Sequence, residues 1–547
     1  MPATKEKTAD KEEIVDIDEF AKIRIAPKDD KRGMEYTVIE PELTESENKL
    51  LEELKTALNE KIEYDYETTL KIKDPRAYIE EKFEQVVKER RKSARGRLAG
   101  GALKNIEYYV IRDFLGFGKI DAIMRDPKIE DISCNGIDVP LFVRHKVRGS
   151  LRTNLSFNDL KELEKFVMVL SQKCKRFVTY AEPLLDSTLP DGSRLQATFG
   201  QDVTLKGPTF SIRKFQKLPI TPIELIKFGT ASPAMMAYFW LALENNSSVL
   251  IAGGSGTGKT SFLNAICMFI PPDYKIVSIE DTSELNLAHK NWIKAVTRMG
   301  YGPKVTGEQR YGEVTMFDLL KSSLRQRPDY VVIGEVRGPE ASVLFQGMAS
   351  GHPSIGTIHA ESLEAVVERL TSPPINLSPN LVELIDIVVL QILATSRGSN
   401  ARRVSKVIEI RDVTHGKPDV MTPFLWDPFS DTFMPIESFA KEKSTWSNES
   451  FLTDKLSAMT GKPKDDLSEE LRHREMVIRW MVENDVKGFY DVFNMISDYW
   501  YDPKSVLERI KAHAVAAAKK TTEGKPSKHR KKGSHAHRGR RRRKTAK

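Results

Sequence analysis

The run Ser248-Val249-Leu250-Ile251-Ala252-Gly253-Gly254-Ser255-Gly256-Thr257-Gly258-Lys259-Thr260-Ser261 decides the fold. An apolar stretch at 248–252 reads as a strand, the pattern G-x-x-x-x-G-K-T follows, and 261–269 reads as a helix. Glycines let the backbone curl so that successive N–H groups face an anion, and the helix N-terminus adds the positive end of its dipole. At this spacing Lys259 reaches the β- and γ-phosphates of a nucleotide, and the Thr260 hydroxyl ligates Mg2+. Gly253, Gly254, Ser255, Gly256, Thr257, Gly258, Lys259, Thr260 and Ser261 are the candidate binding set. A glycine turn that merely carries a lysine would not need both flanks.

Outward from the loop, β-rich runs at 275–280, 330–334, 354–359, 385–393 and 404–410 alternate with helical stretches. That alternation over 222–415 marks a doubly wound parallel sheet. In such sheets ligands bind beyond the carboxyl ends of the strands, where Glu280 and Glu335 stand. The acid closing the second of these strands is normally Asp directly at its end. Here that position is Gly334 and the acid comes one step later, so Glu335 serves the magnesium shell through water or acts on the attacking water itself. The plainer reading of either acid is a cap on a strand end. His352 and His359 flank the 354–358 run, where an imidazole could hydrogen-bond a γ-phosphate; a satisfied structural histidine is the alternative. Arg298, Arg325, Arg327, Arg337, Arg194 and Arg213 could grip phosphate oxygens or form ordinary ion pairs.

The 547 residues exceed one compact domain. Residues 1–45 read as a polar mobile arm and 46–100 as a helical N-terminal segment. An N-terminal α/β domain is expected at 101–217, the nucleotide-binding domain at 218–415 and a mostly helical C-terminal extension at 416–515. A basic disordered tail at 516–547 closes the chain. The net charge of +8 is concentrated there: residues 519–547 hold 14 bases and one acid, leaving 71 bases against 76 acids in the rest. Cys134, Cys174 and Cys267 lie far apart, with no CxxC pair for a zinc ribbon or disulfide framework. The first 20 residues lack an apolar core, and the longest apolar run, 234–243, is about half of the ~20 residues a membrane helix needs. The expectation is a chain neither exported nor integral to a membrane.

Together, the phosphate loop, Ile279-Glu280-Asp281-Thr282, Leu324-Arg325-Gln326-Arg327-Pro328-Asp329, Gly334-Glu335-Val336-Arg337-Gly338, Ser350-Gly351-His352 and Thr357-Ile358-His359-Ala360 resemble the type II/type IV secretion ATPases. More narrowly, the chain is similar to their archaeal branch, the motors of type IV pili and the archaellum. Arg112-Asp113-Phe114, Glu130-Asp131-Ile132-Ser133-Cys134-Asn135-Gly136 and Asp191-Gly192-Ser193-Arg194 resemble that branch's N-terminal domain. The resemblance implies an ATP-hydrolysing RecA-like P-loop domain and a hexameric ring with nucleotide in a cleft beside the N-terminal domain. It implies Lys259 and Thr260 as the Walker A pair, Glu280 in the Asp box, Glu335 in an atypical Walker B, and His352 and His359 in the His box. It further implies Arg194 and Arg213 as N-terminal-domain arginines at the nucleotide. ATP and Mg2+ are the implied cofactors, a polytopic membrane platform protein the implied partner, and the cytoplasmic face of the cell membrane the implied location.

A rival reading is a nucleic-acid-dependent RecA-like ATPase, a helicase or DNA translocase, with the basic tail on phosphates. The tail has no aromatic residue to stack on bases, and attraction to anionic lipid is another use for it. A GTPase would carry N-K-x-D after the phosphate loop, and none occurs.

Overall fold

A computed structural model describes residues 12–27, 33–62, 74–90, 101–215, 218–304, 310–396, 399–414, 417–434 and 450–523. The chain divides into two compact units, one formed chiefly by residues up to 217 and one by residues from 218 on.

The first unit holds a nine-stranded sheet. Its strands are β1 (Glu13–Asp16), β2 (Lys22–Pro27), β3 (Met34–Ile39), β4 (Ile129–Cys134), β5 (Pro140–His145), β6 (Gly149–Ser156), β7 (Leu184–Thr188), β8 (Arg194–Thr198) and β9 (Thr209–Arg213). Their order is β1-β2-β3-β6-β5-β4-β9-β8-β7. The first three strands correct the reading of 1–45 as a mobile arm. Within that charged segment Ile23 and Ile25 alternate with exposed Lys22 and Arg24, and one strand on buried Tyr36 and Val38 alternate with half-buried Glu35 and Thr37. Period-2 alternation buries one face of a strand however polar the other is. The Tyr36 hydroxyl then donates to buried Asp126 at 2.9 Å, which ties the early strands to the domain. Helices Glu45–Lys61, Pro75–Glu89 and Ala102–Phe114 pack on one another through Leu50, Leu54, Leu58, Phe83, Val86 and Ile106.

The second unit holds the phosphate loop. Its strands are β10 (Val249–Gly253), β11 (Ile276–Glu280), β12 (Trp292–Val296), β13 (Tyr301–Lys304), β14 (Arg310–Tyr311), β15 (Tyr330–Ile333), β16 (Ser354–Ile358), β17 (Ile387–Ser396), β18 (Ser399–Thr414), β19 (Lys417–Asp427) and β20 (Thr432–Met434). β13 and β14 form a separate ribbon, and the main sheet runs β12-β11-β15-β16-β10-β17-β18-β19-β20. The first six are parallel and the rest antiparallel. β10, β11, β15 and β16 are buried at every residue, as expected of a parallel sheet covered on both faces.

Two stretches differ from the expected helical extension and disordered tail. Residues 417–434 continue the sheet as β19 and β20, and helix Pro503–Glu523 runs into the basic segment; the remainder of the tail, 524–547, lies outside the described residues. Glu409 on β18 docks the C-terminal helices onto the sheet. Its carboxylate is 1% exposed; it accepts from Tyr238 Oη at 2.9 Å, Ser450 Oγ at 2.7 Å and the Phe451 N–H at 2.7 Å. Among the described residues no helix is long and apolar enough to cross a membrane.

Candidate active site

The phosphate loop leaves β10 at the middle of the sheet, between β16 and β17, and enters helix Lys259–Ile266. Its first glycine answers to a close approach. A Cβ on Gly253 would stand 2.5 Å from the Gln391 carbonyl oxygen of β17 and 2.7 Å from Thr257 Oγ1. Gly258, at φ +95°, caps the helix in the left-handed region that side chains rarely adopt. Thr257 closes the turn by donating to the Gly254 carbonyl at 3.0 Å. Lys259 is 8% exposed and curls over its own loop, with Nζ donating to the Gly253 and Gly254 carbonyls at 3.0 and 2.9 Å. Burial pulls its ammonium below the ordinary lysine range, against the attraction of Glu335, and Arg337 adds to the lowering.

The two acids arrive on neighbouring strands. Glu280 ends β11, is 1% exposed, and its Oε1 accepts from the Leu285 N–H at 2.8 Å. Gly334 follows β15 and packs on it: a Cβ there would lie 3.2 Å from Glu280 Cγ. The glycine at the expected aspartate position is thus the gap that accommodates Glu280. One residue on, Glu335 Oε2 accepts from Arg337 Nη2 at 2.5 Å, and Oε1 faces His359 Nε2 at 3.4 Å. Burial pushes the Glu335 carboxyl up, but the hydrogen bond and charge of Arg337 outweigh it. With further help from His359 and Lys259, they hold the group below the usual carboxylate range. Burial and then repulsion from Lys259 keep the His359 imidazole below its ordinary value, against the pull of Glu335. Thr357 and Val336 tie the ends of β15 and β16 together: the Thr357 hydroxyl donates to the Gly334 carbonyl at 2.6 Å and the Val336 N–H to the Thr357 carbonyl at 2.8 Å.

Lys259, Glu335 and His359 therefore meet at the carboxyl ends of neighbouring strands, with Glu280 packed behind Gly334. His352 does not join them. It precedes Ser354 at the amino end of β16, and a strand rises about 3.3 Å per residue, so the sheet's height separates the two histidines. Arg194 and Arg213 are register partners on β8 and β9 in the first unit. Each is held by an aspartate, Arg194 by Asp186 at 2.8 Å and Arg213 by Asp131 at 3.2 Å. The ion-pair alternative is realised for both.

Two residues at the loop escaped the sequence reading. Arg402 of β18 donates from Nε to the Gly256 carbonyl at 3.0 Å, and Glu361 Oε1 lies 3.3 Å from where a Gly254 Cβ would be. The only available signal was position: Arg402 stands two residues before the predicted 404–410 strand, and Glu361 follows His359-Ala360.

The cradle fits a nucleoside triphosphate. Gly253 has no room for a side chain, a buried ammonium lies over the same loop, and a hydroxyl follows at Thr260. Among the described residues no cluster of three or more His, Cys, Asp or Glu could hold a metal alone. A divalent ion would thus depend on Thr260, Glu335 and the nucleotide's own oxygens.

Residues 123–424 match the family described as type II/IV secretion system protein. The uncharacterized protein MJ0900 of Methanocaldococcus jannaschii is 37% identical over 393 residues, 71% of this chain and 68% of that protein. The conjugal transfer protein TrbB of Rhizobium radiobacter is 31% identical over 234 residues, 42% of this chain and 68% of that protein. The Legionella pneumophila ATPase DotB aligns in structure over 71% of this chain and 93% of its own, at 14% identity and a TM-score of 0.38.

Proposed function

The chain belongs to the type II/IV secretion system protein family, and on that premise we propose that it is an ATP-hydrolysing motor for secretion or for assembly of a type IV pilus-like filament. The observation that carries this reading is the convergence of Lys259, Glu335 and His359 beside the phosphate loop, with Glu280 buried behind them.

In the proposed cycle the loop amides and Lys259 bind the β- and γ-phosphates. Lys259 exchanges two carbonyl acceptors, Gly253 and Gly254, for charged oxygens, a change that charge-assisted hydrogen bonds favour. Bound Mg2+ would neutralise phosphate charge, with the Thr260 hydroxyl as its ligand and Glu335 near its shell. Glu335, partly exposed and held ionised by Arg337, orients the attacking water, and His359 faces the same carboxylate from β16. Buried Glu280 fixes the strand end from behind. Phosphoryl transfer needs little from the protein beyond positioning and charge, and these residues supply both.

The fuller reading is a homo-oligomer, a hexameric ring, working at the cytoplasmic face of a membrane through a polytopic platform protein and driving an archaeal pilus or archaellum. The test is Glu335→Gln in the full chain. It should bind ATP with unchanged affinity, lose turnover by about 10²-fold, and accumulate as the nucleotide-bound ring in mass photometry. Wild-type turnover in that variant would remove Glu335 from the chemistry, and a monomer at every ATP concentration would remove the ring.

A further inference from the structure

We propose that Arg402 is a nucleotide-binding residue, gripping polyphosphate oxygens from outside the loop motif; this rests on the ATPase reading above and extends it. β17 pairs with β10 only as far as Gly253↔Gln391. Its remaining residues, 392–396, run on past the carboxyl end of β10 and pair with 399–403 of β18. The overhang rises beside the phosphate loop and carries Arg402 opposite Leu393. Leu393 is 50% exposed, so this part of the hairpin is an open face.

The aliphatic stem of Arg402 packs on the loop, its Cδ lying 2.9 Å from where a Cβ on Gly258 would be. Its Nε–H donates to the Gly256 carbonyl at 3.0 Å. Among the described residues Gly256 is the only hydrogen-bond partner of that guanidinium, and the side chain is exposed. The next residue is a control within the same strand. Arg403 is 7% exposed and grips both carboxylate oxygens of Asp431 at 2.8 and 3.0 Å, an interaction that ties the hairpin to the turn before β20. One guanidinium is therefore spent on architecture, and its neighbour is fixed by one nitrogen on the phosphate loop.

A guanidinium anchored through Nε presents both Nη groups in a fixed plane, the geometry that suits two oxygens of a phosphate. Because Arg402 has no acidic partner among the described residues, its charge adds to that of Lys259 over the same loop. Arg402 would strengthen capture of the nucleotide without touching the water that attacks it, and the expected signature is in affinity.

The experiment compares Arg402→Met, which keeps a stem over Gly258 and removes the charge, with Arg402→Lys, which keeps the charge and loses the fork. Fluorescent mant-ADP titration and steady-state phosphate release are read on the full chain. Arg402→Met should weaken mant-ADP and raise KM for ATP by about tenfold, as for one charge-assisted contact, with kcat within about twofold. Arg402→Lys should recover most of the affinity. Wild-type affinity in Arg402→Met would overturn the assignment alone, as would a fall in kcat at constant KM, the mark of a misplaced loop. A wild-type chain that binds no mant-ADP would overturn the ATPase reading and this assignment with it.

Discussion

Gly334→Ala should cost turnover and spare nucleotide affinity. The new Cβ would stand 3.2 Å from Glu280 Cγ, a few tenths of an ångström inside ordinary contact, and in ordinary contact with Glu280 Cβ at 3.5 Å. Neither side retreats easily. Glu280 is buried with Oε1 on the Leu285 N–H, while the Gly334 N–H bonds the Ile279 carbonyl at 2.9 Å and its own carbonyl takes the Thr357 hydroxyl at 2.6 Å. Overpacking of this kind costs about 1–3 kcal/mol. Relief must come from the strand end, which moves Glu335, the next residue. A misplacement on the order of 1 Å costs about 10²-fold in rate, so a few tenths should lower kcat by roughly tenfold, about 1.4 kcal/mol of barrier. The phosphate loop leaves β10, which β16 separates from β15, and KM for ATP should stay within about twofold. Steady-state phosphate release and urea unfolding on the same preparations provide the readout. Wild-type kcat with wild-type stability would refute the reasoning, and so would a KM effect without a kcat effect.

Two further outcomes follow from the same geometry. The folded His359 imidazole lies below its ordinary value of about 6.5, so from there down to the folded value the unfolded chain binds more protons and stability falls on acidification. His359→Asn should flatten the wild-type slope of unfolding free energy against pH between 7.5 and 5.5. Burial lowers His145 and His289 in the same direction, so the comparison is between variants, and an unchanged slope would remove His359 as a contributor. Glu409→Ala strips acceptors from Tyr238, Ser450 and the start of helix Phe451–Thr460. It should cost about 3 kcal/mol by urea unfolding and speed hydrogen exchange in that helix, whereas a loss under about 1 kcal/mol would mean that the docking rests elsewhere.

The central strands were readable because each is a continuous apolar run punctuated by glycine or an acid. The runs read at 248–252 and 275–280 fall within one residue of β10 and β11. Lys259, Glu335 and His359 were readable for the same reason, each standing at the end of such a run. Strands β1 to β3 were hidden by composition, since Lys22 and Arg24 mask the alternation of Ile23 and Ile25. β12 and β19 were missed because neither has a clean period: Trp292–Val296 is only half-buried, and Lys417–Asp427 mixes exposed and buried residues irregularly. His352 looked equivalent to His359 because adjacency in sequence was read as adjacency in space, and a strand's length undoes that. Arg402 could not be found at all from local pattern. Its place on the loop depends on how far β17 and β18 overhang β10, a matter of tertiary register.

The most direct measurement is phosphate release by the full chain with ATP and Mg2+, wild type against Lys259→Ala, with circular dichroism to show that both are folded. Lys259 bridges two loop carbonyls, and alanine gives them up without disturbing a strand, so the variant should fold as wild type and hydrolyse ATP at background rate. A folded Lys259→Ala chain that turns over ATP as fast as wild type would contradict the account.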